Sequence, residues 1–389
     1  MIAPPAPAYG RGSLADLLPS MLAAIGRPGV AAAEPRIPLP SRPWICLLLV
    51  DGLGSDLLAE HAARHAPFLA ELLATGLTLD AGFPSSTPVS LCSLGTGTPP
   101  GQHGVLGFTM RVPPDPAVIE CLTWRRYGAA ESLAEDLPPE RVQSIEPLAG
   151  NARRDGIEMT VVSLREHVGS ALSRAAFRGA RFDPIDRFED WRSRDAAVRR
   201  GLAFDGAIVY TYDARLDTAA HVHGPGSAVW RSSLEATDRL ARRLADSLPR
   251  DAMLLVTGDH GGTLVRATER RDLAERPELA AGVEALSGEP RARHVHATPG
   301  RGAEVLRAWR DSLGDDWLVL SRSEAIEAGL FGPSVAEAVR PRIGDVVATT
   351  MLGGGIYDSR QYPWELRLLG LHGGLSRGEL RVPLLIATG

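Results

Sequence analysis

The sequence predicts an α/β fold: a mostly parallel central sheet sandwiched by helices, with a small α+β insertion. Three observations point there. First, three continuous apolar runs each end in a carboxylate: "WICLLLVDGLGSDLL" (44–58), "DGAIVYTYDARLD" (205–217) and "DAMLLVTGDHGG" (251–262). An unbroken apolar run is what a strand buried on both faces requires. Second, the stretches 64–75, 189–203 and 227–247 space apolar residues three and four apart, with arginines on the other face, as helices covering a sheet do. Third, strand and helix alternate, which favours parallel pairing. Ligands of such sheets sit beyond the carboxyl ends of the strands, so Asp51, Asp217 and Asp259 are expected to converge on one edge.

Taken in order, residues 1–42 are rich in Pro and Ala around one amphipathic stretch, "SLADLLPSMLAAIG", and read as an N-terminal arm laid over the domain. Residues 43–262 and 346–389 form the core unit. Within it, "FPSSTPVSLCSLGTGTPPGQHG" (83–104) places Pro88 where proline is favoured, at the start of a helix, so Thr87 falls at the positive helix end. Free backbone N–H groups at such an end receive phosphate oxygens. From 263 to 345 the pattern changes to helix-like "ELAAGVEALSG", strand-like "RARHVHATP", helix-like "GAEVLRAWRDSL" and then "WLVLSRSEAIEAG", an inserted α+β cap unit. "DVVATTML" and "RVPLLIA" return to core-strand composition. There is no internal repeat.

With 389 residues and 44% hydrophobic content, the chain can bury a large core. A net charge of -5 offers no overall basic field for a nucleic-acid backbone, so a polymeric nucleic-acid partner is not expected. All 42 basic residues are arginine. Schiff-base and pyridoxal-phosphate chemistry and a P-loop lysine are therefore excluded. Three cysteines, Cys46, Cys92 and Cys121, without CxxC spacing argue against a disulfide framework or a thiolate metal site and fit a reducing compartment. The N-terminus lacks a basic region followed by an apolar block, and no apolar run approaches the roughly 20 residues that cross a bilayer. A cytoplasmic protein with no membrane partner is expected; no feature of the sequence specifies an oligomeric state.

The residues at the strand ends carry the chemistry: Asp51, Asp217 and His221 in "DTAAH", Asp259 and His260 in "GDHGG", and His372 in "GLHGGLS". Each alone has an ordinary reading. Asp51 before Gly-Leu-Gly serves equally as a helix cap, Asp217 and His221 as a surface helical pair, Asp-His-Gly-Gly as a turn, and His372 as a loop residue. Together, three carboxylates and three imidazoles suit zinc, with manganese as the alternative, in number enough for two ions. The i, i+4 spacing of Asp217 and His221 puts both on one helical face.

With these motifs the sequence resembles the alkaline phosphatase superfamily, and within it the nucleotide pyrophosphatase/phosphodiesterase branch, from about residue 44 to 389. The resemblance implies two divalent metal ions, one held by Asp217, His221 and His372 and the other by Asp51, Asp259 and His260. It also implies a nucleophilic hydroxyl after "FPS.T", here Thr87, bound to the second ion. The expected function is cleavage of phosphodiester or pyrophosphate bonds in a small-molecule phosphoester through a phospho-threonine intermediate. Elementary chemistry agrees: a threonine hydroxyl must be activated, and no histidine neighbours Thr87 in sequence to act as base. The rival reading of Thr87 is a plain N-cap.

The substrate is less determined. No basic residue except His103 lies between Thr87 and Phe108, which favours a diester, a pyrophosphate or a phosphonate over a monoester unless Arg111, Arg125 or Arg126 folds back. The branch usually has an asparagine where this chain has Phe108, and the sole asparagine is Asn151. Phe108 and Trp124 are either an aromatic wall for an organic group or core. His103 reads as structural, His223 as a decoy beside His221, and His294 and His296 as facing substrate or solvent. A phosphonoacetate hydrolase-like phosphonatase and a phosphomonoesterase are alternatives on the same site. A metal-stabilised binding protein is the non-enzyme alternative.

Overall fold

The computed structural model describes residues 6–26 and 36–388. Two stretches of the N-terminal arm, 1–5 and 27–35, lie outside the described residues. The apolar runs are strands, Trp44–Val50, Ala207–Asp213 and Ala252–Gly258, and they are the centre of a seven-stranded sheet. Trp44–Val50 pairs in parallel with both of the others, and Glu158–Val162 and Arg181–Phe182 extend the parallel set. Arg381–Thr388 closes the other side, antiparallel to Ala252–Gly258, and carries the edge strand Leu77–Asp80.

Every second side chain of the central strands goes to the same face, so the two faces build two cores. Ile45, Leu47 and Leu49 pack with Ile208, Tyr210, Met253 and Leu255. Cys46, Leu48 and Val50 pack with Val209, Leu254 and Val256 under the helices Ser55–His65 and Ala228–Ser247. The helix Leu17–Ile25 of the arm closes the first core, burying Leu17, Leu18 and Met21 beside Leu91 and Leu94. Register, more than composition, sets where the strand ends meet. Val50 is paired with Asp213 on one side and Gly258 on the other, so the chain leaves all three strands at one level of the same edge.

A second seven-stranded sheet lies beyond that edge, antiparallel throughout, in the order Leu318–Ser321, Val346–Thr349, Ala292–Ala297, Val283–Glu289, Thr109–Arg111, Val118–Glu120 and Arg125–Arg126. Strands from the 109–126 region thus pair with strands from 283–349. The helix expected over 278–288 is not there: a single turn, Pro277–Ala280, gives way to the strand Val283–Glu289. Its pairing with Ala292–Ala297 overrides the local helical spacing.

Candidate metal centre and nucleophile

The site forms where the parallel strands end. Asp51 follows Trp44–Val50 directly, and Asp259 and His260 follow Ala252–Gly258. Asp217 and His221 are one turn apart on the helix Arg215–His223, with Asp217 Oδ2 3.0 Å from His221 Nε2. Gly52, at φ 74°, lets these segments meet, because a Cβ there would lie 2.9 Å from the Cβ of Asp217. His372 arrives on the loop after Gly370–Leu371; its ring stacks on His260 at 3.7 Å between centroids and lies 5.3 Å from His221.

Thr87 is the first residue of the helix Thr87–Thr96, and Ser86, in extended conformation, is the N-cap. The plain-cap reading of Thr87 therefore does not hold. Its hydroxyl turns to the carboxylate edge, with Oγ1 3.5 Å from Asp51 Oδ1 and 3.2 Å from His260 Nε2. His260 Nε2 is in turn 3.4 Å from Asp51 Oδ1 and 3.5 Å from Asp259 Oδ2. The structure thus brings Asp51, Thr87, Asp217, His221, Asp259, His260 and His372 together. One ligand atom each from Asp217, His221 and His372 lies within 4.8 Å of the others, and the same holds for Asp51, Asp217 and His260.

The electrostatics are those of crowded acids. Burial, then the Asp259 and Asp217 carboxylates, pushes the Asp51 carboxyl well above the usual range. Burial acts the same way on Asp217, but the His221 imidazole, followed by His372 and His260, outweighs it and holds that carboxyl low. Burial would lower His221, yet Asp217 lifts it to about 9. His372 is pushed well down by burial and by its neighbour His260. The backbone orients the rings: His221 Nδ1–H donates to Gly370 O at 2.7 Å, His260 Nδ1–H to Gly261 O at 2.8 Å and His372 Nδ1–H to Ser85 O at 2.9 Å. Each ring thereby turns its Nε2 toward the carboxylates, the nitrogen that can bind a cation once it carries no proton.

A cavity of about 630 Å3 opens beside Thr87. Leu91, Val161, Phe177, Phe188, Tyr210 and Tyr212 contribute to its walls, with Ser163, Ser170 and Ser173 adding hydroxyls. Among the described residues, Arg125 is the one arginine of its lining. Arg111 is paired with Glu284 and Arg126 with Glu131, so neither folds back.

Several expectations are corrected. Trp124 is no substrate wall: it is fully buried and its indole N–H donates to Leu137 O at 2.8 Å. Phe108 is half-buried, edge-on to Tyr127 and Trp364. His294 and His296 face neither substrate nor solvent; both are buried in the second sheet, His294 Nδ1 accepting from Gly344 N–H and His296 Nε2 3.0 Å from Ser287 Oγ. His103 is structural, 3.0 Å from Ser93 Oγ, and His223 is exposed.

Two residues at the site were missed. Tyr212 donates its hydroxyl to Asp51 Oδ2; its place in "YTYDARLD", next to last in a strand that ends at the site, was the available signal. Glu289 lies 3.5 Å from His372 Nδ1 and had no signal, since strand pairing alone brings it there.

The type I phosphodiesterase/nucleotide pyrophosphatase family model matches residues 45–375. Among solved structures, murine ectonucleotide pyrophosphatase/phosphodiesterase 5 is similar at 17% identity and a TM-score of 0.68, covering 89% of this chain and 88% of that one. An inactive threonine-to-alanine variant of the murine protein in complex with AMP gives 17% identity, a TM-score of 0.67 and 87% coverage of each chain. The human counterpart gives 16%, 0.66, 88% and 87%. No curated protein is similar enough in sequence to match. These likenesses share the α/β architecture described above, and the family match spans every segment that supplies the site. The chain belongs to the type I phosphodiesterase/nucleotide pyrophosphatase family.

Proposed function

We propose that this chain is a two-metal phosphodiesterase that hydrolyses a small-molecule phosphodiester or pyrophosphate through a covalent phospho-threonine at Thr87. The single observation that supports it most is the placement of the Thr87 hydroxyl at a helix N-terminus while it faces Asp51 Oδ1 and His260 Nε2.

The residues fit divalent cations. Three carboxylates converge with no arginine among the described residues bonded to any of them, and Asp259 Oδ2 is buried without a hydrogen-bond partner among them, a costly arrangement unless a positive charge completes it. Oxygen and imidazole donors of this kind suit zinc, with manganese as the alternative. Asp51, Asp259, His260 and Thr87 would hold one ion and Asp217, His221 and His372 the other. When bound, such ions supply Lewis acidity toward a hydroxyl and toward phosphoryl oxygens.

The chain's own groups do the rest. Tyr212 holds the far oxygen of Asp51, leaving Oδ1 toward Thr87. The first backbone N–H groups of the Thr87 helix receive phosphoryl oxygens. Thr87 Oγ1 attacks phosphorus as the bond to the departing alcohol or phosphate breaks, the hydroxyl proton leaving with that group, and water then cleaves the phospho-threonine, giving its hydroxyl to phosphorus and a proton back to Oγ1. With Arg125 the only guanidinium among the described residues of the adjoining cavity, there is little to offset the second charge of a monoester, which favours diesters. The AMP held by the murine variant makes a nucleoside arm the first organic group to test in that cavity.

Thr87→Ala tests the reading. Turnover of bis-p-nitrophenyl phosphate should fall at least about a thousandfold while zinc content by elemental analysis stays near wild type. Near-normal turnover would remove Thr87 from the reaction.

A further inference from the structure

One buried acid beside the site has no part in that scheme. Glu289 ends the strand Val283–Glu289 of the second sheet and is 3% exposed, and neither of its carboxylate oxygens has a hydrogen-bond partner. A buried acid so placed is expensive to keep and calls for an explanation.

Three segments meet around it, two of which build the site. The Ser86 hydroxyl, itself buried and unpartnered, faces the carboxylate from the residue before Thr87, and the Phe108 backbone N–H faces it from a second loop, neither at hydrogen-bonding geometry. From the third, His372 Nδ1 lies 3.5 Å from Glu289 Oε2. The backbone makes room for this side chain: Gly373 sits at φ 112°, and a Cβ there would lie 2.5 Å from Glu289 Cγ. Two of these segments are already joined, since Ser85 N–H donates to Gly373 O, Gly373 N–H to Ser85 Oγ and His372 Nδ1–H to Ser85 O. Glu289 fills the space beneath that junction.

We propose that Glu289 is a positioning residue, which sets the Thr87 loop and the His372 ring relative to one another and offers His372 Nδ1–H a second acceptor beside Ser85 O. It acts through Ser86 and His372 and touches no reacting atom. Acceptors behind a ligand imidazole orient the ring and strengthen its Nε2 as a donor, and their loss costs about 10–100-fold in metal affinity or activity. The second sheet would then be coupled to the nucleophile by one side chain of defined reach. The inference rests on the phosphodiesterase reading of this site.

Two substitutions separate reach from charge. Glu289→Asp keeps the carboxyl but withdraws it by one methylene; Glu289→Gln keeps the length and an acceptor oxygen. For E289D, kcat on bis-p-nitrophenyl phosphate should drop about tenfold or more with KM little changed, and zinc affinity of the metal-free chain, titrated against a chromophoric chelator, should weaken about tenfold. E289Q should stay within about threefold of wild type in both, and its metal-free melting temperature should match. E289D behaving as wild type overturns the proposal, and so does E289Q being as impaired as E289D. If E289D does not fold, Ser86→Ala carries the test: lowered kcat with intact KM supports the proposal, and unchanged kcat and zinc affinity overturn it. Failure of the phosphodiesterase reading looks different, because the wild-type chain itself would then turn over no diester; the zinc titrations alone would decide.

Discussion

Thr87 illustrates how much a single hydroxyl depends on its address. Ser85 and Ser86 are chemically similar and adjacent, yet Ser85 Oγ is engaged with Gly373 and Gly374 and Ser86 is the N-cap. Only Thr87 faces Asp51 and His260. Tyr212 matters at the same scale. Its hydroxyl pins one oxygen of Asp51, so Tyr212→Phe should lower kcat about tenfold while leaving zinc stoichiometry intact, as steady-state kinetics and elemental analysis would show. The candidate metal-site residues Asp51, Asp259 and His260 were legible because they follow buried strands, and Asp217 and His221 because they sit at helical spacing, patterns that carry over into position; His372 was legible through the family resemblance. Trp124, His294 and His296 were not, because burial of a ring depends on which strands pair above it.

Elements decide how those residues are held. The helix Thr87–Thr96 is buried along its length, pressed between the arm and the helix Ala171–Phe177, so the arm contributes to the support of Thr87. The arm is itself anchored at Asp16, whose carboxylate accepts from Gly12 N–H, Ser13 N–H, Ser13 Oγ and Arg36. Burial would raise this carboxyl, but Arg36, Ser13 and Gly12 hold it below the usual range. A depressed acid stabilises the fold above its unfolded pKa of about 4 and loses that contribution as pH falls through the folded value. Asp16→Asn should therefore cost on the order of 1–3 kcal/mol at neutral pH and progressively less in acid, measured by denaturant unfolding across that range. The segment 278–288 shows the converse limit of local reasoning: its apolar spacing suits a helix, and pairing with Ala292–Ala297 makes it a strand.

At the scale of the whole molecule, two seven-stranded sheets dominate, with two small two-stranded sheets beside them, and stability should follow the histidines buried away from the site. Burial holds His103, His294 and His296 at about 3. In the unfolded chain these rings titrate near about 6.5, so between the two values the unfolded state binds more protons. Stability is then fully present above pH of about 6.5 and is lost as pH falls toward 3. Calorimetric unfolding near pH 5 in buffers of different ionisation enthalpy should register uptake of about three protons from this trio. Removal of divalent ions by chelation should lower the melting temperature as well, because the three converging carboxylates are then left uncompensated. Among the described residues no helix is long and apolar enough to cross a membrane.

The α/β class, the strands at 44–50, 207–213 and 252–258, and the delivery of Asp51, Asp259 and His260 to their ends were determined by sequence alone, because buried parallel strands need unbroken apolar runs and deliver their next residue to one edge; Thr87, Asp217, His221 and His372 were joined to that set in the sequence by the family resemblance. Tertiary structure decided the rest: that 109–126 pairs with 283–349 in one sheet, that Arg125 and not Arg111 or Arg126 reaches the cavity, and that Glu289 comes up beneath His372. Those facts depend on contacts between residues distant in the chain, whose register is set by packing and leaves no periodic trace in either segment.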